Sequence, residues 1–201
     1  MNTTLNYYKN NSKILVNRYE SANVSSVQSL LLQTFREKNK LLEIGCGSGR
    51  DASFMFKNGF DVIAIDGSEN MITEAKKTHP EISNFLYTKV LPHELEFKTK
   101  FDGIYSIATL MHLSFEDLKL TLLKIFNLLN IDGKFLISVS LFRDDIDKNG
   151  FDDKGRFFLV LPQNKWIELC EEAGFKIENI QTNNDGLNRS GIEWLTLVMS
   201  K

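Results

Sequence analysis

The stretch Glu43-Ile44-Gly45-Cys46-Gly47-Ser48-Gly49 sets three alternating glycines between an apolar run, Lys40 to Ile44, and a segment of helical spacing with Ala52, Phe54, Met55 and Phe56. A strand must therefore pass into a helix through backbone that mostly lacks a Cβ. Glycine adopts left-handed conformations freely and lets a ligand come close to the main chain. The first turn of the helix adds N–H groups without intrahelical partners. A bare strand-to-helix turn needs fewer glycines, so the loop reads as a ligand cradle on a β-α unit.

The same rhythm runs along the chain. Val62 to Ile65 reads as a second strand ending at Asp66, and Ser68 caps a helix over 69–78 that His79-Pro80 closes. Phe85 to Thr88 and Phe101 to Ile107 are the third and fourth strands. Ser114 and Asp117 stand at capping-box spacing before a Leu-rich helix over 115–129, and Asp132-Gly133 turns into a fifth strand over 134–140. A polar stretch, 143–156, precedes a helix over 162–173, a strand over 175–181, a polar loop over 182–190 and a last strand over 192–199. Two helices come first, a polar one over 4–20 and a second starting near Ser25. Strands alternating with helices predict an α/β fold whose seven-stranded sheet is mostly parallel. The short loop before the last strand predicts that this strand is antiparallel. The 201 residues fit one domain, with 1–38 as a helical cap and 39–201 as the core.

Composition narrows the partners. Lys and Arg number 24 against 26 Asp and Glu, a net charge of -2 that gives no general attraction to nucleic acid or anionic membrane. Cys46 and Cys170 lie far apart, so neither a disulfide framework nor a zinc spacing is present. The first 18 residues carry no apolar run of the signal-peptide type, and no apolar stretch approaches ~18 residues. The expectation is a cytoplasmic protein without a metal site.

A dinucleotide cradle places a third glycine where Arg50 stands, so that ligand does not fit. Asp66 follows Gly49 by 17 residues, and a carboxylate there can accept both hydroxyls of a ribose. Its plainer role is a turn residue before Gly67.

The motifs LLEIGCGSGRD, DVIAIDGSENMI, FDGIYSIATLMHLS and DGKFLISVS, in this order over about residues 40–140, resemble those of class I S-adenosylmethionine-dependent methyltransferases. The chain looks most like small single-domain members such as the tellurite-resistance methyltransferases. The resemblance implies a Rossmann-like three-layer sandwich with helices on both faces, and S-adenosylmethionine as cofactor. Carried over by position, Glu43, Gly45, Cys46, Gly47 and Ser48 would surround the methionine part. Asp66 would hold the ribose, with Gly67 and Met71 beside the adenine and Ile107 and Ala108 lining the sulfonium side. Tyr19, in the polar first helix, would belong to a mobile cover over the cofactor. The family's usual acid after the third strand is missing from Tyr87-Thr88-Lys89-Val90-Leu91-Pro92, so backbone at Val90 and Leu91 would take its place. Arg50 opens a helix, where a cation gains nothing from the dipole. It either meets the cofactor carboxylate or pairs with Asp51.

Methyl transfer from a sulfonium is an in-line displacement, and orientation alone supplies roughly 7–11 kcal/mol. No catalytic triad is required. Ligands of open α/β sheets bind beyond the carboxyl ends of the strands, which brings forward 108–114, 141–160 and 182–191. His112 is either a base for the acceptor or a histidine packed under the following helix. Arg143, Arg156 and Arg189, half of the chain's arginines, fall in these segments and suggest an anionic small-molecule acceptor. Their alternative is pairing with the nearby Asp residues. Ser106-Ile107-Ala108-Thr109 lacks the Asn/Asp-Pro-Pro-aromatic run of base-amino methyltransferases. A protein or peptide acceptor, and a non-catalytic cofactor-binding module, stay open.

Overall fold

The computed structural model describes residues 3–184 and 191–201. The chain runs α1 (Thr3–Glu20), α2 (Ser25–Thr34), β1 (Lys40–Ile44), α3 (Arg50–Lys57), β2 (Asp61–Asp66), α4 (Glu69–Thr78) and β3 (Leu86–Thr88). It continues through β4 (Phe101–Ile107), α5 (Phe115–Leu128), β5 (Leu129–Arg143), α6 (Gln163–Glu172), β6 (Lys176–Asn184) and β7 (Ile192–Ser200). The strands form one sheet in the order β3-β2-β1-β4-β5-β7-β6. All pairs from β3 to β5 are parallel, and β7 runs antiparallel to both β5 and β6.

Successive strand residues point to opposite faces, and both faces are covered. Leu42, Ile104, Phe135 and Ile137 pack with Leu122 of α5 and Trp166 of α6. Leu41, Val62, Tyr105 and Leu136 pack with Leu31 of α2, Met55 of α3 and Ile72 of α4. This is the expected three-layer sandwich. No helix among the described residues is long and apolar enough to cross a membrane.

Sequence and structure part where polar residues carry the conformation. The expected turn at Asp132-Gly133 lies inside β5, because Leu129 already pairs with Phe101 while Lys134 pairs with Gly103. Asp102 pins this corner, accepting from Lys40 N–H at 2.8 Å and from Asn130 Nδ2 at 2.7 Å. Asp132 takes up the extra residues with φ of 60°. β6 continues to Asn184, three residues into the expected loop, as an edge strand without an apolar period. Two turns of 3-10 helix at Pro80–Phe85 and a single turn at Leu110–His112 are too short to show periodicity in the sequence. At α5 the Ser114 hydroxyl accepts from Asp117 N–H and donates to Asp117 Oδ2, a local variant of the expected capping box.

The chain leaves β1 toward β2 on one side and later returns to β4 on the other. The carboxyl ends of β1 and β4 therefore flank the crevice in which ligands of such sheets bind. The cap helices meet the core beside it. A Cβ at Gly103 of β4 would lie 2.4 Å from the Phe35 ring at the end of α2 and 2.7 Å from Leu41. Gly103→Ala is expected to lower stability by about 1–3 kcal/mol, as overpacking does. Urea unfolding measures this, and an unchanged midpoint would mean that Phe35 does not seat on β4.

Candidate active site

All three glycines of the loop after β1 are left-handed, with φ of 78° at Gly45, 54° at Gly47 and 80° at Gly49. A Cβ on Gly45 would fall 2.0 Å from Thr109 Oγ1, so β1 and β4 can close on each other only over glycine. Gly47 would place a Cβ 3.3 Å from the Tyr19 ring. The Gly45 and Cys46 N–H groups both donate to Ile65 O at 2.8 and 2.9 Å. The carboxylate of Asp66 accepts from Gly47 N–H at 3.0 Å and from Ser68 N–H at 2.8 Å. Burial pushes the Asp66 pKa up, and these two N–H bonds oppose that rise. Each oxygen of this carboxylate has a lone pair left for a further donor.

The floor is buried and chemically quiet. Glu43 is held well above the usual carboxylate range by burial, with the neighbouring Asp51 adding to the rise. Burial likewise pushes the Cys46 thiol up, which removes it as a thiolate nucleophile. Arg50 does pair with Asp51, through Nε at 3.1 Å and Nη2 at 2.8 Å. Its Nη1 also donates to Tyr19 O at 2.7 Å and so clamps the carboxyl end of α1 to the glycine loop.

From this loop a cavity of about 340 Å³ extends to the turn after β4 and the segment 143–158. Glu43, Gly45, Cys46, Gly47, Ser48 and Arg50 line it at one end. Asp66, Gly67, Val90, Leu91, Ile107 and Ala108 follow, and Tyr19 lies over them. Met71 does not line the cavity: it is fully buried against Leu15 and Val16 of α1, which uses it as a seat. Val90 is already engaged, its N–H donating to Glu94 Oε2 at 2.6 Å and its carbonyl accepting from Glu94 N–H at 2.9 Å.

At the far end, His112, Arg143 and Arg156 line the same cavity. His112 Nδ1 lies 2.6 Å from Phe157 O, an atom that only accepts, so this nitrogen carries the proton. In the neutral ring Nε2 then accepts, and Tyr8 Oη donates to it at 3.0 Å. Burial, with help from Arg156 and Arg143, lowers the His112 pKa to about 4. Arg143 forks onto Asp145 and stacks 3.8 Å from the Phe158 ring centre. Arg156 Nε donates to Asp152 Oδ2 at 2.7 Å. Both guanidinium charges are thus matched by an acid of the same loop, which is the pairing alternative and not a free cationic grip. Arg189 lies outside the described residues.

Sequence reading left Thr109, Ser138 and Trp194 out of the lining, and had no means to join Tyr8 to His112. Only the hydroxyl of Thr109 next to the fourth strand's end was a visible signal. Among the described residues no cluster of three His, Cys, Asp or Glu is placed to hold a metal.

The depressed His112 pKa has a definite sign in stability. The folded state resists protonation, so the unfolded chain binds more protons between about pH 6.5 and the folded value of about 4. The stability present above pH 6.5 falls with pH across that window. Between pH 7 and pH 5 the wild type is expected to lose about 2 kcal/mol more than His112→Gln. Urea unfolding at both pH values checks this, and parallel losses would place the imidazole in water.

A family model described as a methyltransferase domain matches residues 16–180. A protein of Geobacillus sp. (strain WCH70), assigned by its name to the methyltransferases, is 32% identical over 120 residues. That match covers 57% of this chain and about half, 48%, of the relative's length. Among solved structures, a TehB-like SAM-dependent methyltransferase from Corynebacterium glutamicum superposes with a TM-score of 0.72. It is 22% identical, and the match covers 94% of this chain and 97% of that one. The 1,6-didemethyltoxoflavin-N1-methyltransferase of Burkholderia thailandensis, solved with 1,6-didemethyltoxoflavin and S-adenosylhomocysteine, gives 0.80 at 20% identity over 99% of this chain and 87% of that one. With four-fifths of its length inside the family model and a fold that superposes on these neighbours, the chain belongs to the methyltransferase-domain family and has the class I architecture.

Proposed function

We propose that this chain is an S-adenosylmethionine-dependent methyltransferase acting on a small molecule. The observation that carries the reading is the continuous cavity from Asp66 and the glycine loop to His112, roofed by α1. Asp66, with one lone pair free on each oxygen, suits a ribose diol. The Gly45–Ser48 backbone and the two N–H groups that Arg50 has not spent suit the methionine end. Gly67 and Leu91, which line the cavity, would flank the adenine, with Met71 holding α1 in place beside it. Ile107 and Ala108 also line the cavity and would border the methyl group. The cofactor supplies an activated methyl carbon, and the protein's part is to align the acceptor with it.

Side chains of α1 and of the segment 143–158 line the acceptor end and make it concave, which favours a small molecule over a protein surface. The 1,6-didemethyltoxoflavin in the Burkholderia structure is of that kind. Charge matching at Arg143 and Arg156 favours an acceptor without a strong negative charge. We place the enzyme in the cytoplasm, with residues 1–38 and 39–201 working as one catalytic unit and no nucleic-acid or membrane partner.

Calorimetry with S-adenosylhomocysteine tests the reading. The wild type is expected to bind, and Asp66→Ala to weaken binding by at least ~1.5 kcal/mol, the worth of hydrogen bonds to a charged group. Absence of binding to the wild type would remove the function. Equal affinity in the variant would remove only the ribose assignment.

A further inference from the structure

His112 is the one imidazole that lines the acceptor end among the described residues, yet its free lone pair does not face open space. The Nδ1 proton is committed to Phe157 O, and Nε2 receives the Tyr8 hydroxyl at 3.0 Å. The Phe157 peptide is held in turn by α1, its N–H donating to Thr4 Oγ1 at 2.8 Å. Both ring nitrogens therefore depend on α1, either directly or through Phe157. Tyr8 also lines the cavity, and its other polar neighbours are the Tyr19 hydroxyl and the Arg156 guanidinium. Tyr8 and His112 thus both border this end of the cavity, joined by one hydrogen bond.

We propose that Tyr8 is the catalytic residue that contacts the acceptor, and that His112 is its positioning partner, taking the acceptor's proton through the Tyr8 hydroxyl. This rests on the methyltransferase reading. The proposal commits to an acceptor class: a small aromatic molecule whose nucleophilic O, N or S carries a hydrogen. Phe158, tilted against the His112 ring with centroids 4.6 Å apart, and Trp194 give the pocket aromatic walls. The matched pairs Arg143–Asp145 and Arg156–Asp152 leave no net charge to hold a strong anion.

The step balances. A lone pair of the acceptor atom forms the new bond to the methyl carbon while the carbon–sulfur bond breaks and leaves its electron pair on sulfur. The acceptor atom, now positive, releases its hydrogen to Tyr8 Oη. The proton that Tyr8 was donating passes to His112 Nε2, and the imidazolium loses it to water when product leaves. A methylated, still protonated phenol oxygen or thiophenol sulfur is a strong acid, and a methylated, protonated aromatic nitrogen is a moderate one. A weakly basic imidazole therefore suffices to take the proton in the oxygen and sulfur cases and is near balance for nitrogen. A weak base has an advantage here, since it stays unprotonated in mildly acidic water. The titratable and charged groups that face the pair are Tyr19 on α1, Asp66 at the end of β2, and Arg143 and Arg156 with their acids Asp145 and Asp152.

Three measurements on the full chain test the proposal. First, nitrogen-15 spectra of histidine-labelled, cofactor-free protein should show His112 protonated at Nδ1 only, with Tyr8→Phe shifting the Nε2 signal toward that of an unbonded nitrogen. Second, S-adenosylhomocysteine should bind the wild type and Tyr8→Phe within about threefold, because the phenol ring is kept. Third, phenol, catechol, thiophenol and 1,6-didemethyltoxoflavin are offered with S-adenosylmethionine. For whichever compound is methylated, Tyr8→Phe and His112→Gln should each lower kcat by about thirtyfold or more, with little change in the cofactor's KM. The double variant should lose no more than the worse single one, because both act on one proton. The acidic limb of the wild-type kcat profile should lie below pH 5. Independent, multiplying losses, a kcat within threefold of wild type in Tyr8→Phe, or an unmoved Nε2 signal would each overturn the relay. Cofactor binding with no compound methylated would overturn the acceptor class and leave the methyltransferase reading standing. No cofactor binding at all would remove both.

Discussion

One carboxylate holds two loops together at the head of the sheet. Asp66 accepts from Gly47 in the loop after β1 and from Ser68 at the start of α4. The cradle and the helix that seats α1 are therefore fixed by the same side chain. The arrangement needs backbone without side chains next to it, because Gly45 must pass under Thr109 and Gly67 must lie 2.9 Å, measured from a would-be Cβ, from Leu5 of α1. A half-buried carboxylate that lines the cavity beside glycines, with one N–H bond to each oxygen, keeps acceptor capacity turned toward a ligand. Its remaining lone pairs are the strongest physical reason to expect a ligand with two adjacent hydroxyls.

The roof depends on the same site. Helix α1 is tied at its carboxyl end by Arg50, along its length by Leu15 and Val16 on Met71, and near its amino end by Thr4 and Tyr8. Each tie reaches a residue that borders the cavity or packs beside it. Covering the cavity and organising its polar groups are thus one structural event.

Much of this was legible from residue order. The strands β1, β2 and β4 are apolar runs covered on both faces, and the caps at Ser68 and Ser114 stand where their sequences place them. The glycine loop and Asp66 could be assigned to one site because the β-α-β connection forces the ends of neighbouring parallel strands together. The acceptor end was not legible in the same way. Tyr8 and His112 are 104 residues apart, and nothing in either local sequence specifies the other. Arg143 and Arg156 had acids within reach in the sequence, but only the folded loop decides between a partner and a ligand. Met71 kept helical spacing whether it touched adenine or α1, so periodicity could not separate the two. Asp132-Gly133 carried a turn signal and did produce a left-handed residue, inside a strand that pairs earlier than its apolar stretch begins.

The most direct test of the account is a crystal structure of the chain with S-adenosylhomocysteine. The ribose hydroxyls should lie within hydrogen-bond distance of the Asp66 carboxylate, the amino-acid end on the Gly45–Ser48 backbone, and the sulfur should face Tyr8 and His112 beneath α1. A nucleoside bound elsewhere, or one that enters only after α1 has left Tyr8 and Met71, would contradict the claim that this helix, the glycine loop and Asp66 form one site.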